Sequence, residues 1–351
     1  MSRIYVHGTG AVSPAGWNVA ALHDALVAGV PPPLQALERP GRTKTLQVFR
    51  VPVSHPKPPF FGHPRLRRAS PITHFAVGAA IEAIGPDAAR IAVGELKLGV
   101  IFCAFTGSVN YSRRFYAEVL RDPSTASPLF FTETVFNAPA SHIAAYFGTS
   151  AISYTVVGDQ GEFVKALALA ADWLLAGRVD GCLVVGAEES DWLTADALRL
   201  LSPDLPASEG AGAVYLRREP TGVELVAVTE PQLFLRIRGR SEAAKWIGWS
   251  LENPESNDDL LCDGLSGVEA DRSEAEAWAG WSGKRLSPKR VLGEGLAAAG
   301  SWQTVAAIEC LRRGLASRAV VSIIGGNEQA VGAVWRSTAR PNLTADAGQP
   351  V

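Results

Sequence analysis

Apolar residues along the chain form short continuous runs that alternate with longer segments of helical spacing. Runs that predict buried strands lie at residues 4–7, 97–105, 150–158, 180–189, 211–216, 224–231 and 317–326. Segments that predict helices lie at residues 18–30, 70–85, 142–148, 162–177 and 297–314. Residues 31–67 hold many of the prolines and show no lasting period, which predicts an elaborated loop region. The alternation of strands and helices predicts an α/β fold with mostly parallel sheets.

Two segments far apart in the chain share one plan, at residues 162–189 and 297–326. Both helices end with a Leu three residues before a Gly, at Leu174 and Gly177 and at Leu311 and Gly314. In both segments a short linker then leads into an apolar strand. This recurrence predicts two related halves produced by duplication. The helix at residues 165–176 is apolar on all sides, which predicts a helical layer between two sheets.

The division between the halves is predicted near residues 216–224, where charged residues and a Pro-Thr-Gly sequence separate two strands. The predicted units are residues 1–218, residues 219–340 and a tail at 341–351.

The composition narrows the class of protein. Hydrophobic residues make up 47% of the chain and the formal net charge is -2, which disfavours disorder and nucleic-acid binding. The four cysteines are scattered without CxxC spacing, so we expect reduced core thiols and neither a metal site nor a cofactor. The N-terminus lacks a signal-peptide pattern and no apolar run approaches about 18 residues. These features predict a soluble cytoplasmic protein without a membrane span.

Residues 154–189 have the pattern of a strand, a sharp Gly-bearing turn, a helix and a second strand. Such an arrangement displays the residue at the turn, which here is Gln160. An amide has no usable nucleophilic lone pair at neutral pH, so the displayed side chain is unreactive.

The chain resembles the β-ketoacyl-acyl-carrier-protein synthases, the condensing enzymes of the thiolase fold. Seven segments carry the resemblance in the family's order: "GTGAVSPAG", "FNAPASHIAAYFG", residues 154–189, "SEGAGAVYL", "SGVEADRSEAEAW", "SPKRVLGEGLAAAG" and "IIGGNEQAVGAV". The resemblance spans nearly the whole chain, with loops shortened before residue 208 and between residues 232 and 258. It implies an α/β, thiolase-like five-layer αβαβα architecture with two pseudo-symmetric halves.

In that family a Cys at the start of a buried helix is the nucleophile, and two His residues assist decarboxylation and stabilise the oxyanion. Alignment on the family's motifs places Gln160 at the Cys position, Asp263 at the first His and Glu294 at the second. Asp263 stands eight residues before Asp271 of the family's Asp-x-x-Glu signature, which ends here at Glu274. All three catalytic positions are therefore replaced. Two carboxylates at the His positions would repel the negative charge that develops on an enolate.

Each replaced position also has an ordinary structural interpretation. Gln160 could be satisfied by local backbone, and Asp263 and Glu294 could be solvated loop and helix-cap carboxylates. Glu294 suits the positive end of the helix that follows it. Lys289 matches the family's lysine in "SPKR", and we expect it to pair with Glu294 or Glu274 in a structural role.

Two branches of the family carry Gln at the Cys position. The decarboxylating loading ketosynthase needs both His residues, whereas the chain-length factor, a silent partner of an active ketosynthase, needs neither. The resemblance therefore predicts a chain-length-factor-like subunit in type II polyketide, aryl-polyene or fatty-acid-like synthesis. Its expected partners are an active ketosynthase, in a heterodimer, and an acyl carrier protein with its acyl chain.

Three alternatives remain open at this point: a homodimeric pseudoenzyme that binds an acyl chain or carrier protein, a decarboxylating Gln-type ketosynthase, and a thiolase-fold enzyme with new chemistry. The resemblance also implies that strand 151–158 pairs with the partner across the dimer. Bulky residues expected to close the partner's tunnel are Tyr111, Phe115, Tyr116 and Trp192. Ordinary core packing is the competing interpretation of these four aromatic residues.

Overall fold

The computed structural model describes residues 3–201, 204–234, 237–251, 256–268, 271–326 and 329–338. The first half contains strands β1 (Ile4–Val12), β2 (Gln35–Leu37), β3 (Leu46–Val48), β4 (Leu98–Ala104), β5 (Ile152–Val157), β6 (Gly181–Glu188) and β7 (Gly210–Arg217). Its helices are α1 (Val19–Ala28), α2 (Pro71–Ile84), α3 (Asp87–Ala92), α4 (Val109–Arg121), α5 (Pro128–Thr134), α6 (Ala138–Tyr146), α7 (Gly161–Leu175) and α8 (Trp192–Leu201).

The second half contains strands β8 (Val223–Val228), β9 (Gln232–Leu233), β10 (Leu260–Cys262), β11 (Lys284–Leu286), β12 (Arg318–Ile324) and β13 (Gln329–Ser337). Its helices are α9 (Ile237–Ser250), α10 (Arg272–Ala277), α11 (Pro288–Leu292) and α12 (Ala297–Arg312). Two short 3-10 helices lie at Pro59–Gly62 and Pro123–Thr125.

The two halves repeat one strand topology. The order is β5-β4-β6-β7-β1 in the first half and β11-β10-β12-β13-β8 in the second. In each half the first three strands of this order run parallel to one another. The two pairings that follow in the order are antiparallel. A short pairing of β1 with β8 joins the halves, with Ile4 opposite Leu225 and Tyr5 opposite Glu224. The repeat of order and direction confirms the expected pseudo-symmetric architecture.

Five layers follow from how the helices cover the strands. Helices α7 and α12 pack against strands of both halves and form the central layer. Helices α2 and α6 cover the outer face of the first half, and α9 and α10 cover the second. The predicted five-layer αβαβα architecture is therefore confirmed. Every residue from Ala297 to Ile308 of α12 is buried, because a helix between two sheets has no solvent face.

The central helices meet closely at the start of α7. A Cβ atom added at Gly300 of α12 would lie 2.4 Å from the Gln160 carbonyl oxygen, so only glycine allows this approach. The contact brings the beginnings of both buried helices to one place, and the site described below forms there.

The proline-rich region at residues 31–67 forms a small separate sheet, β2 with β3, followed by the 3-10 helix at Pro59–Gly62. All four cysteines are buried and free. Within the described ranges no helix is long and apolar enough to cross a membrane.

Candidate functional site

A cavity of about 430 Å³ opens beside the first turns of α7 and α12. Its polar lining residues include Asp159, Gln160, Arg240, Ser266, Asp271, Glu274, Lys289 and Glu294. Its apolar lining residues include Phe105, Val109, Leu193, Ala197, Leu198, Leu205, Leu296 and Ile324. Both halves of the chain contribute to the cavity. An apolar pocket with a few convergent polar groups is the usual form of a small-molecule site.

Gln160 stands at the start of α7 and is only 3% exposed. Its Nε2 atom donates to Oε2 of Glu294 at 2.9 Å, across 134 positions of sequence. Its Oε1 atom is buried and has no hydrogen-bond partner among the described residues. The simple interpretation of Gln160 as a residue satisfied by local backbone is therefore wrong, because its partner lies in the other half of the chain.

Glu294 is the centre of a compact charge network. Lys289 donates from Nζ to the same oxygen, Oε2, at 2.8 Å, and both side chains are about 8% exposed. Oε1 accepts the backbone N–H of Leu296 at 2.8 Å, at the beginning of α12. Of its two expected partners, Lys289 therefore pairs with Glu294 and not with Glu274. Glu294 also lies at the start of α12, as expected. Leu296 has φ 49°, the one positive-φ residue other than glycine in the described chain.

Glu274 also lines the cavity. Its Oε1 atom accepts the Gly264 N–H at 3.0 Å and the Ser322 hydroxyl at 3.2 Å. The pKa of Glu274 is raised to about 7, first by burial and then by the negative charge of Asp263, while Lys289 opposes the shift. Glu274 is therefore a carboxyl that changes protonation near neutral pH.

Asp263 does not line the cavity. Its side chain is fully buried, and Oδ1 accepts the Ser287 hydroxyl at 2.6 Å and the Leu265 N–H at 3.2 Å. Arg285 approaches Oδ2 to 4.0 Å, and burial raises the pKa of Asp263. The interpretation of Asp263 as a solvated loop carboxylate is wrong, and Glu294 is not solvated either.

The four aromatic residues predicted to close a tunnel do not line the cavity. Helix α4 contains no buried residue, so core packing is the wrong interpretation for Tyr111, Phe115 and Tyr116. Tyr111 donates its hydroxyl to the Arg68 carbonyl at 2.9 Å, and Tyr116 is 62% exposed. Trp192 is partly buried at the start of α8. Val109 is the α4 residue that lines the cavity.

Buried carboxylates at the end of β6 position the cavity wall, and sequence reasoning did not identify them. Glu188 accepts the N–H groups of Phe105 and Thr106, each at 2.8 Å, together with the Thr106 hydroxyl. Glu189 accepts the N–H of Ile72 at 2.9 Å and of Asn110 at 2.8 Å, at the first turns of α2 and α4. Burial raises the pKa of both carboxyls to about 7. The sequence signal that could have identified them is the pair of acidic residues that directly follows the apolar run of β6.

Exposed apolar side chains occur on the edge strand β5 and on helix α5. Strand β5 pairs only with β4 in the described chain, and its residues Tyr154 and Val157 are more than half exposed. On α5, Leu129 and Phe131 are also more than half exposed. An unpaired edge flanked by exposed apolar side chains is a feature of surfaces that associate with another chain.

The repeated topology and the cavity between its halves define a protein of the thiolase-fold, ketosynthase-like class. The family model for the N-terminal domain of beta-ketoacyl synthases matches residues 1–221. The chain therefore belongs to the beta-ketoacyl synthase family. None of the curated proteins compared with the chain matches it in sequence.

Solved structures of similar fold include complexes of ketosynthases. The ishigamide ketosynthase/chain length factor has a TM-score of 0.80 at 20% identity, covering 96% of this chain and 100% of that one. A ketosynthase in complex with its chain length factor from Xenorhabdus doucetiae has a TM-score of 0.76 at 16% identity, covering 96% and 98%. A type II polyketide synthase acyl-carrier protein in complex with its ketosynthase has a TM-score of 0.78 at 16% identity, covering 96% and 99%. At these identities the likeness shows a shared fold.

Proposed function

We propose that the chain is a catalytically silent, chain-length-factor-like subunit that pairs with an active ketosynthase in the cytoplasm. The observation that carries the proposal is the hydrogen bond from Gln160 to Glu294 at the start of α7. At the position where the family resemblance expects a thiolate, the chain has an amide held by a buried carboxylate. An amide cannot form the acyl thioester on which condensation depends.

The surrounding charges support the same conclusion. Condensation develops negative charge on an enolate, which requires hydrogen-bond donors directed at the reacting oxygen. Here the Lys289 cation donates to Glu294 at 2.8 Å, and the cavity is also lined by the carboxyl groups of Asp159, Asp271 and Glu274. A buried carboxylate beside the reacting atom would raise the energy of an enolate.

The proposed partner is an active ketosynthase that docks along β5. This strand offers unpaired backbone groups at the sheet edge, and apolar side chains on α5 extend the surface. Among similar folds, one solved structure is a ketosynthase with its chain length factor, and another contains an acyl-carrier protein. We propose that the pair acts on a carrier-bound acyl chain in polyketide, aryl-polyene or fatty-acid-like synthesis, and that this subunit limits the length of the product.

The first test is activity of the purified chain. Neither transfer of an acyl group from acyl carrier protein nor carbon dioxide release from malonyl carrier protein should exceed the background. Gln160→Cys should not restore condensation, because the carboxylates Asp263 and Glu294 would still stand at the two His positions. Carbon dioxide release that disappears in Gln160→Ala would support a decarboxylating enzyme instead.

The second test is association. Co-expression with candidate ketosynthases carrying intact Cys and His residues, followed by affinity purification and product analysis, should recover a one-to-one heterodimer that makes chains of defined length. A stable homodimer that ignores every ketosynthase and still binds acyl carrier protein would favour the pseudoenzyme alternative.

A further inference from the structure

Glu274 is a buried carboxyl of the cavity that the fold leaves without a cation. It is 3% exposed and forms no ion pair with any residue that the structure describes, because Lys289 donates to Glu294 at 2.8 Å instead. The charge of Lys289 still lowers the pKa of Glu274, but burial outweighs it and raises that pKa to about 7. A further cation beside Glu274 would therefore stabilise its ionised form.

One carboxyl oxygen of Glu274 makes no hydrogen bond within the described chain. Oε1 accepts the Gly264 N–H at 3.0 Å and the Ser322 hydroxyl at 3.2 Å, whereas Oε2 accepts from neither. Gly264 also lines the cavity, and a Cβ atom added there would lie 3.0 Å from Oε2, so the glycine leaves space beside this oxygen. A donor that enters the cavity would therefore find an acceptor at Oε2.

Gln160 supplies a second acceptor. Its Nε2 atom donates to Glu294 at 2.9 Å, which fixes the amide, and its Oε1 atom is buried without a hydrogen-bond partner among the described residues. Buried polar atoms without a partner are rare, because nothing replaces their lost hydration. Both acceptors lie around Lys289, whose charge acts on Glu274 and whose Nζ atom shares Oε2 of Glu294 with Gln160. The group that would complement them is a hydrogen-bond donor.

The charges that face the cavity favour a positive ligand. Acids outnumber bases among the titratable lining residues, which are Asp159, Asp271, Glu274 and Glu294 against Arg240 and Lys289. Lys289 is paired with Glu294, so three acids and one base remain. Asp263 does not line the cavity, but its negative charge also acts on Glu274 and raises its pKa. A cation that enters the cavity is attracted by this surplus of negative charge.

Arg240 is the one lining residue that favours an anion instead. Its Nη2 atom donates to the Ile324 carbonyl at 3.3 Å, and the guanidinium forms no ion pair with a carboxylate in the described ranges. A single guanidinium does not balance Asp159, Asp271 and ionised Glu274, so the cavity is net negative above about pH 7. An anionic ligand is therefore disfavoured, and a carboxylate with the same chain length as the amine tests this.

We propose that the cavity binds a primary ammonium group on a linear apolar chain, with the ammonium held by Oε2 of Glu274 and Oε1 of Gln160. An ammonium has three N–H donors, so it serves both acceptors and supplies the charge that Glu274 lacks. The apolar chain would lie against lining residues such as Val109, Leu198 and Leu205. This site goes beyond the proposed function, because a subunit without condensing activity would still bind a small molecule of its own.

The test is isothermal titration calorimetry of the full chain with octylamine, 1-octanol and octanoate at about pH 8. Octylamine should bind roughly tenfold or more tightly than the other two, because it alone pairs with Glu274. Its affinity for the wild type should rise roughly thirtyfold from about pH 5.5 to 8 as Glu274 ionises, since an ammonium keeps its proton until about pH 10. Glu274→Gln should remove both the preference for the amine and the pH dependence. Gln160→Met should weaken binding and keep the pH dependence.

The matched control is Glu276→Gln, the same substitution on the same helix, α10, where the side chain is exposed and lies 3.9 Å from Arg272. It should bind octylamine as the wild type does. Glu274→Gln removes a buried charge, so it should fold at about pH 8, and octylamine should raise the Tm of the wild type but not of this variant.

Tighter binding of octanoate than of octylamine, equal affinities for the three ligands, equal losses in the two Glu variants, or absence of octylamine binding would overturn the proposal. Heterodimer formation and acyl transfer are measured without octylamine. A chain that pairs with a ketosynthase but binds no amine would therefore contradict the ligand site alone, and the reverse result would contradict only the proposed function.

Discussion

At the scale of single residues, the site depends on how one buried carboxylate is compensated. Oε2 of Glu294 accepts hydrogen bonds from both Lys289 and Gln160, and Oε1 accepts the Leu296 N–H. A buried charge is tolerated only when it is paired and hydrogen-bonded. These contacts therefore make Glu294 a structural member of the site, and they leave Gln160 oriented with its amide nitrogen toward the carboxylate.

Removal of the cation from this network should destabilise the fold. Lys289→Met leaves the buried Glu294 without its cation, which we expect to lower the free energy of unfolding by about 3 to 5 kcal/mol. The double variant Lys289→Met/Glu294→Gln should recover most of that loss, because the buried charge is removed. Urea unfolding at neutral pH measures the free energy of unfolding of the single and the double variant. A double variant as unstable as the single one would show that packing, and not charge, sets the cost.

Glu274 should make stability depend on pH. Its folded pKa of about 7 lies above the ordinary 4.5, so the folded state binds the proton more tightly than the unfolded state. The resulting stabilisation is fully present below about pH 4.5 and is lost as the pH rises to about 7. Relative to the permanently neutral Glu274→Gln, the wild type should lose roughly 3 kcal/mol between pH 4.5 and 8. Parallel pH profiles of the two proteins would contradict this assignment.

At the scale of elements, α4 and β5 contain no buried residue, whereas the central helices are largely buried. Helix α4 has no buried residue, while α12 is buried along almost its whole length. Helix α4 lies on the surface, and β5 is an edge strand whose Tyr154 and Val157 are more than half exposed. An apolar face left in solvent indicates a surface that another chain covers.

Substitutions on α4 should therefore affect pairing and product more than folding. Tyr116→Ala removes a side chain that is 62% exposed, so the free energy of unfolding should change by less than about 1 kcal/mol. In the reconstituted pair, Tyr111→Ala, Phe115→Ala, Tyr116→Ala and Trp192→Ala should shift the product distribution toward longer chains. Val27→Ala, an exposed substitution on α1, is the control. Wild-type product lengths in every soluble variant would remove the gating role from these residues.

At the scale of the whole molecule, association should depend on the edge of the sheet. Tyr154→Lys places a charge on β5, where 55% of the side chain is exposed, and charged edge residues oppose strand pairing. The variant should remain folded but should no longer form a dimer in sedimentation analysis. Val226→Lys, on an exposed part of β8, should leave association unchanged. A fully dimeric Tyr154→Lys protein would place the contact elsewhere.

The repeated topology explains why two halves of unlike sequence build one site. In the first half β6 lies beside β4 and β1 lies at one end; in the second half β12 lies beside β10 and β8 lies at one end. Helices α7 and α12 therefore pack in equivalent positions between the two halves of the sheet. The starts of these helices meet at Gly300, which brings Gln160 within hydrogen-bond distance of Glu294. The exact division of the chain near residue 218 remains a prediction.

The sequence by itself determined the α/β alternation, because the periods of strands and helices are local properties of the chain. Through its ordered motifs it also predicted that positions 160, 263 and 294 correspond to the family's Cys and His positions, and that correspondence stays a prediction. It predicted a partner for Lys289 but left two candidates.

Tertiary structure decided which charged groups meet and which face outward. Lys289 contacts Glu294, Asp263 turns away from the cavity toward Ser287, and the aromatic residues of α4 stay outside the core. None of this follows from local pattern. Burial and the choice of hydrogen-bond partner depend on tertiary packing, which joins Gln160 to Glu294 across 134 positions of sequence, and periodicity carries no information about that packing.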